Sequence, residues 1–271
     1  MTEIAQHHRD ELDRAINALE NPGFIARLTN FLGMPLEKAI KGLPERAGDL
    51  ITNAARGAIE KALGLALRTL KEKRGASSAN RFHKALVGTS GFAGGMFGLP
   101  ALAVELPVST TIMLRSIADI AQSEGEELSA IETKLACIEV FALGGNRSSD
   151  DAVDTGYYAV RATLARALAE AAQFIAHRGL AQEGAPVIVR IVALIASRFS
   201  ATVSEKIVAQ AVPAIGALGG ATINVLFMEH FQQMARGHFI IRRLERIYGA
   251  ERVKTEYEER RKYFERARSK S

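Results

Sequence analysis

Four side chains are the candidates for acid–base or metal chemistry in this sequence: Glu105, Glu139, Glu229 and His238. Each sits in or beside an apolar run, where an ionisable group must be paired, protonated or coordinated. Glu105 lies between Pro100 and Pro107 and is the only charge from Ala85 to Leu114. Glu139 falls between Ile138 and Val140. Glu229 and His238 belong to a polar group that also holds Asn224, His230, Gln233 and Arg236. A carboxylate and an imidazole brought together can exchange a proton or hold a cation. His230 and His238 are two helical turns apart with Met234 between them, which is not the spacing of a His-Glu-x-x-His zinc helix. No metal and no cofactor is therefore assigned.

Simple ion pairing competes with every chemical reading of these residues. Arg115 and Asp119 are i,i+4 neighbours and can pair with each other. Arg242, Arg243 and Glu245 follow His238 closely, and Arg242 can reach His238 or Glu245 by helical spacing. Ser90 lacks the Gly-x-Ser-x-Gly context of a strained nucleophile turn. The glycine runs lack the Gly-Lys-Ser/Thr of a phosphate-binding loop. The lone Cys137 sits in an apolar helical run and reads as a buried small hydrophobe.

Two glycine-punctuated apolar stretches must position these groups. One runs from Ala85 to Leu114 around Gly91, Gly94, Gly95 and Gly98. The other runs from Ile207 to Met228, without any charge, around Gly216, Gly219 and Gly220. On a helix, Gly91 and Gly95 share a face, as do Gly94 and Gly98, and Gly216 and Gly220. Such faces let two backbones approach closely. Both stretches reach the roughly 20 residues that a membrane span requires. They are rich in Gly and Pro and poor in the Leu, Ile and Phe that drive insertion. A tight helix crossing in the core fits better, with a membrane hairpin or shallow insertion as the other reading.

The remaining pattern is helical throughout, with no alternating strand signal. Residues 3–20 form a charged amphipathic helix that Asn21-Pro22-Gly23 breaks. Glu45 to Glu72 carries a helical apolar stripe and suits either a core cover or a membrane surface. Pro100 and Pro107 suggest a helix, a turn and a second helix up to about Glu124. Residues 128–143 begin with a capping-box pattern, Ser129 and Glu132. Residues 144–156 form a loop, and helices follow at 157–178, 185–200 and 204–247. Three segments result: N-terminal helices at 1–74, a core at 80–250 and a charged helix at 251–271.

Composition bounds the class. The chain has 271 residues, 48% apolar and 24% charged, which is globular and large enough for a substantial core. The formal charge is +5, and Arg236 to Lys270 alone holds twelve Lys/Arg against six Asp/Glu. A basic helix suits anionic lipid, nucleic acid or an acidic partner. Nucleic acid is not favoured, because no zinc-finger spacing, RNA-binding aromatic motif or helix-turn-helix occurs. The start of the chain shows no secretory signal, which leads to an expectation of a cytoplasmic protein.

Several strings resemble the bacterial EcsC protein family. They are Gly88 to Pro100 with Glu105-Leu-Pro107 and Thr110 to Ala121, then Leu135 to Gly145, then Val212 to Phe227. The likeness continues through Ala235-Arg-Gly-His238-Phe239 and Arg242 to Gly249. It covers about residues 80–250, and residues 10–72 more loosely. The family takes its name from a gene beside an ABC transporter pair implicated in protein secretion and membrane proteolysis. The resemblance thus implies a membrane-linked role and no particular reaction. The expectation is an all-α, multi-helix single domain built on two Gly-rich close-packed core helices. Its expected partner is a membrane surface or a membrane protein complex such as an ABC transporter, met on the inner face of the cell membrane. Arg242, Arg243, Arg246, Arg260 and Arg261 are expected to support that contact. The competing expectation is a soluble enzyme or ligand binder whose site unites Glu105, Glu139, Glu229 and His238. The oligomeric state stays open.

Overall fold

The structure, a computed structural model, describes residues 3–20, 23–33, 45–70, 102–144, 156–178, 185–210 and 216–268. Nine helices account for most of these residues, and there is no strand among them. They are α1 (Gln6–Glu20), α2 (Phe24–Leu32), α3 (Glu45–Thr69), α4 (Leu102–Ser123) and α5 (Ile131–Leu143), followed by α6 (Tyr157–Arg178), α7 (Pro186–Gln210), α8 (Gly216–Tyr248) and α9 (Ala250–Arg268).

Helical spacing of apolar residues explains the seating of each element. On α1, Leu12, Ala15, Ile16 and Leu19 face inward. On α3, the stripe Ala47, Ile51, Ala55, Ala58, Ala62 and Ala66 is buried against α4, α5 and α7. This amphipathic helix therefore covers the core. Glycine ends two helices in the left-handed conformation that it tolerates best. Gly33 (φ 65°) closes α2 by donating its N–H to Thr29. Gly249 (φ 88°) turns α8 into α9 with its N–H on the Glu245 carbonyl.

The longest helix, α8, is the axis. It touches α1, α2, α4, α5, α7 and α9. α4 runs beside it in the same direction, since Glu105 meets Asn224, Ser116 meets Gln232 and Glu124 meets Arg243. α1, α5 and α7 run against it: His8 meets Tyr248, Gly144 meets His230, and Lys206 lies over Phe227. All nine helices contribute to one hydrophobic core, from Leu12 of α1 to Tyr257 of α9. Phe141, Phe199, Phe227 and Phe231 form its aromatic centre, with ring centroids 5.1–6.1 Å apart.

Three local expectations are corrected. Ser129 does not cap α5; the cap residue is Ala130, without a side-chain bond, and the Ser129 hydroxyl donates to Glu127 instead. α7 continues through residues 200–204 and ends at Gln210. Its serines accept the helix by donating back to carbonyls, Ser200 to Ser197 and Ser204 to Ser200. Pro107 lies inside α4 without breaking it. It is the sixth residue of the helix, which forfeits one N–H bond, that to the Ala103 carbonyl, and continues. The segment holding Gly91, Gly94, Gly95 and Gly98 lies outside the described residues. Gly216, Gly219 and Gly220 open α8, and Gly219 and Gly220 are buried.

Candidate functional site

Buried polar side chains gather at two levels of the bundle. The first lies where α4 and α8 begin and α7 ends. Lys206, fully buried, donates to both oxygens of Glu105 at 2.7 and 3.0 Å. Asn224 adds a third bond to Glu105 at 3.2 Å, and its own side-chain oxygen accepts from Gln210. The Lys206 ammonium also lies 4.9 Å from the Phe227 ring centre. A buried carboxylate and ammonium each require such partners, because unpaired burial of either is costly. Next to it, burial pushes the Glu205 carboxyl up to about 8.

The second level lies near the end of α8, where α5, α6, α1 and α9 meet it. His238 is fully buried, with Nδ1 3.0 Å from the Tyr157 hydroxyl and Nε2 3.8 Å from Glu139. That second distance exceeds a hydrogen bond, and Nε2 has no hydrogen-bond partner among the described residues. Burial holds the imidazole well below its usual range, with the nearby Arg161 and Arg242 guanidiniums adding to the effect. Burial also pushes the Glu139 carboxyl up to about 7, against the pull of Arg161 and Arg242. The Tyr157 backbone N–H and the Tyr257 hydroxyl both donate to Glu20 at the end of α1, at 3.3 and 2.6 Å.

Ionic pairs frame this level. Arg161 clasps Glu245 through two bonds of 2.7 and 3.1 Å, and the Tyr158 hydroxyl donates to the same carboxylate. Arg242 clasps Glu126 through two bonds of 2.9 Å, and Arg246 and the Thr133 hydroxyl donate to it as well. Burial raises the Glu126 carboxyl, and the two arginines outweigh that and hold it below its usual range. Arg243 bridges Glu11 and Glu124, at 2.9 and 2.7 Å.

The four carboxylate and imidazole candidates thus occupy three places. Glu139 and His238 meet. Glu105 belongs to the Lys206 level, which lies about 21 Å away along α8, the rise from Asn224 to His238. Glu229 pairs with Arg27 of α2 at 3.9 Å, half exposed. A single site uniting all four does not form, because α8 is one continuous helix whose Asn224, Glu229 and His238 meet different neighbours at different levels. Arg115 is exposed and Asp119 half-buried. His230 does not align with His238 around a ligand. Its Nε2 donates to the Gly144 carbonyl at 2.9 Å, its ring stacks on Phe24, and burial lowers it to about 4. Among the described residues, no group of three or more His, Cys, Asp or Glu could hold a metal. The Cys137 thiol is buried and pushed up by that burial, away from nucleophilic character.

The five arginines expected to face a membrane or partner are all engaged by carboxylates of the chain itself. Besides the pairs above, Arg260 meets Asp13 and Glu256, and Arg261 meets Glu258 and Glu265.

Across these helices the chain matches the family model of the EcsC protein family over residues 9–244. It belongs to the EcsC protein family. In this EcsC protein, Glu105, Lys206, Asn224, Glu139, Tyr157 and His238 lie within the matched span, whereas Glu245, Arg246 and Tyr257 of the second level lie just beyond it. Neither a curated protein nor a solved structure matches the chain.

Sequence reasoning missed Lys206, Tyr157, Tyr158, Arg161, Glu126, Glu20 and Tyr257. Lys206 had a signal. It borders the uncharged run from Ile207 to Met228 and carries the charge opposite to that of Glu105. The others sit in ordinary polar or amphipathic contexts, and only the packing of α6 and α9 on α8 makes them inward.

Proposed function

We propose that this chain is a non-catalytic, peripheral membrane-associated helical protein, an accessory to a membrane complex such as an ABC transporter or secretion system. One observation carries the reading: large apolar side chains are left outside on several helices, whereas buried charges such as Glu105, Lys206 and Glu126 are matched within the fold. The apolar side chains include Phe31, Leu50, Val104, Val108 and Val189, on α2, α3, α4 and α7. Larger exposed apolar surface marks contact with lipid or a partner. α7 supports the reading weakly. It is long and apolar enough to cross a membrane, yet it packs against α3, α5, α6 and α8 as a core helix does. The link to a transporter or secretion system rests on the family resemblance alone. Lipid contact is assigned to apolar surface and not to the paired arginines.

Flotation with anionic vesicles tests this, together with fractionation of cells that express the chain. Co-migration with vesicles at low salt and recovery in the membrane fraction are expected. Failure to float at low salt, with wholly cytosolic recovery, would sink the proposal.

A further inference from the structure

The outer face of the first turns of α4 carries no charge. Over its first three turns the residues at or near the surface are Ala103, Val104, Pro107, Val108, Thr111 and Ile112. Val104 is 72% exposed and Val108 41%. The one charged residue of these turns, Glu105, points the other way and is matched by Lys206 and Asn224. The next charge on the outside is Arg115, about one turn beyond Ile112. The chain leading into α4 carries no charged residue from Ala85 to Val104 either.

We infer that this outer face of α4, Ala103 to Ile112, is the surface by which the protein enters a lipid bilayer, and that the Lys206–Glu105 pair serves it by drawing the only carboxylate inward. The inference rests on the membrane reading above and names its contact residues. The occupant is lipid on three grounds. A protein interface is bordered by polar groups that hydrogen-bond across it, roughly one per 100–200 Å². This face offers no side-chain hydroxyl, because the Thr111 oxygen is itself buried. The uncharged chain continues upstream over a length comparable to the roughly 20 residues that match the hydrocarbon thickness. Finally, a face of Val, Ala, Pro and Ile without charge suits burial at the headgroup–acyl boundary, about 5–10 Å deep.

The test uses the full chain in a Cys137→Ser background, with an environment-sensitive fluorophore on Val104→Cys or, as control, on Tyr263→Cys of α9, which is 70% exposed. Vesicles contain phosphatidylcholine and phosphatidylglycerol in equal parts, with a lipid-borne quencher. Quenching at position 104 and not at 263 is expected. Separately, Val104→Asp and Val108→Asp should each reduce vesicle partitioning about tenfold or more, since a carboxylate at even modest depth costs at least the 1.4 kcal/mol that a factor of ten represents. Circular dichroism and thermal midpoint should match the parent, because both sites are at the surface. Flotation of the parent with position 104 unquenched would overturn this inference while leaving the membrane reading intact. A label at 104 already shielded without vesicles would overturn it too, because protein then covers the face. Absence of flotation by the parent would remove both.

Discussion

Burial shapes the titration of Glu139, Glu205, His230 and His238 in opposite directions, and so predicts a pH dependence. Glu139 titrates near 7 in the fold against 4.5 as its ordinary value. A raised carboxyl contributes stability that is fully present below about 4.5 and lost as pH rises through about 7. The difference is on the order of 3 kcal/mol at 1.36 kcal/mol per pH unit. Glu139→Gln should therefore leave the urea midpoint unchanged near pH 4.5 and raise it at pH 8. An equal shift at both pH values would count against a carboxyl held up by burial. His230 works the other way, since its lowered value removes stability as pH falls from 6.5 through about 4. The Lys206–Glu105 pair gives a second residue-scale prediction. Lys206→Met should cost about 3–5 kcal/mol, because it strands a buried carboxylate. Adding Glu105→Gln should restore much of that loss. Urea titrations of the two single variants and the double variant measure the coupling, and simple additivity would show that the pair does not interact as described. Glu105 was recognisable in sequence as an anomaly. That Lys206 answers it depended on α7 lying beside α4.

At the scale of elements, a close helix crossing that glycine permits occurs at Gly237, between α1 and α8. A Cβ there would lie 2.6 Å from the Leu19 Cγ and 3.1 Å from the Ala15 carbonyl oxygen. Leu19 and the α1 backbone would have to move, so Gly237→Ala should lower stability by about 1–3 kcal/mol. Gly64, inside α3, has nothing within 4 Å of its added Cβ. Gly64→Ala should gain up to about 1 kcal/mol from helix propensity. Thermal unfolding of both variants is the check; a gain at Gly237 as well would mean that α1 is not seated on α8 there. Gly237 lacks the repeated-glycine pattern that draws attention to Gly216, Gly219 and Gly220. A glycine's importance in a helix depends on what crosses it, and periodicity carries no information about that.

The whole molecule has two unlike ends. At one, where α8 ends, guanidiniums and carboxylates from α1, the α4–α5 turn, α6 and α8 pair with each other. At the other, where α4 and α8 begin, one buried ion pair lies beneath apolar surface. One core still joins them, and residues of the N-terminal, central and C-terminal segments share it. Unfolding should accordingly be a single transition. Far-ultraviolet circular dichroism reports all helices, and tyrosine emission reports chiefly α6, α8 and α9, since the chain has five Tyr and no Trp. The two urea curves should coincide. Separated midpoints would show that the charged C-terminal helix or the N-terminal helices melt apart from the rest.

Periodicity alone determined that this protein is all-α, because apolar residues recur at helical spacing along nearly every described segment. Its unusual strings were equally sufficient to indicate the EcsC family. Local signals placed the helix at residues 3–20 and its break well, and misplaced the break between α7 and α8, where serines proved compatible with a continuous helix. Only the tertiary structure decided which ionisable residues meet. Glu139 finds His238, Glu105 finds Lys206 and Arg161 finds Glu245, across separations of 84 to 101 positions in the sequence. Such partnerships depend on the direction and rotation of whole helices about α8, and no short-range spacing encodes either.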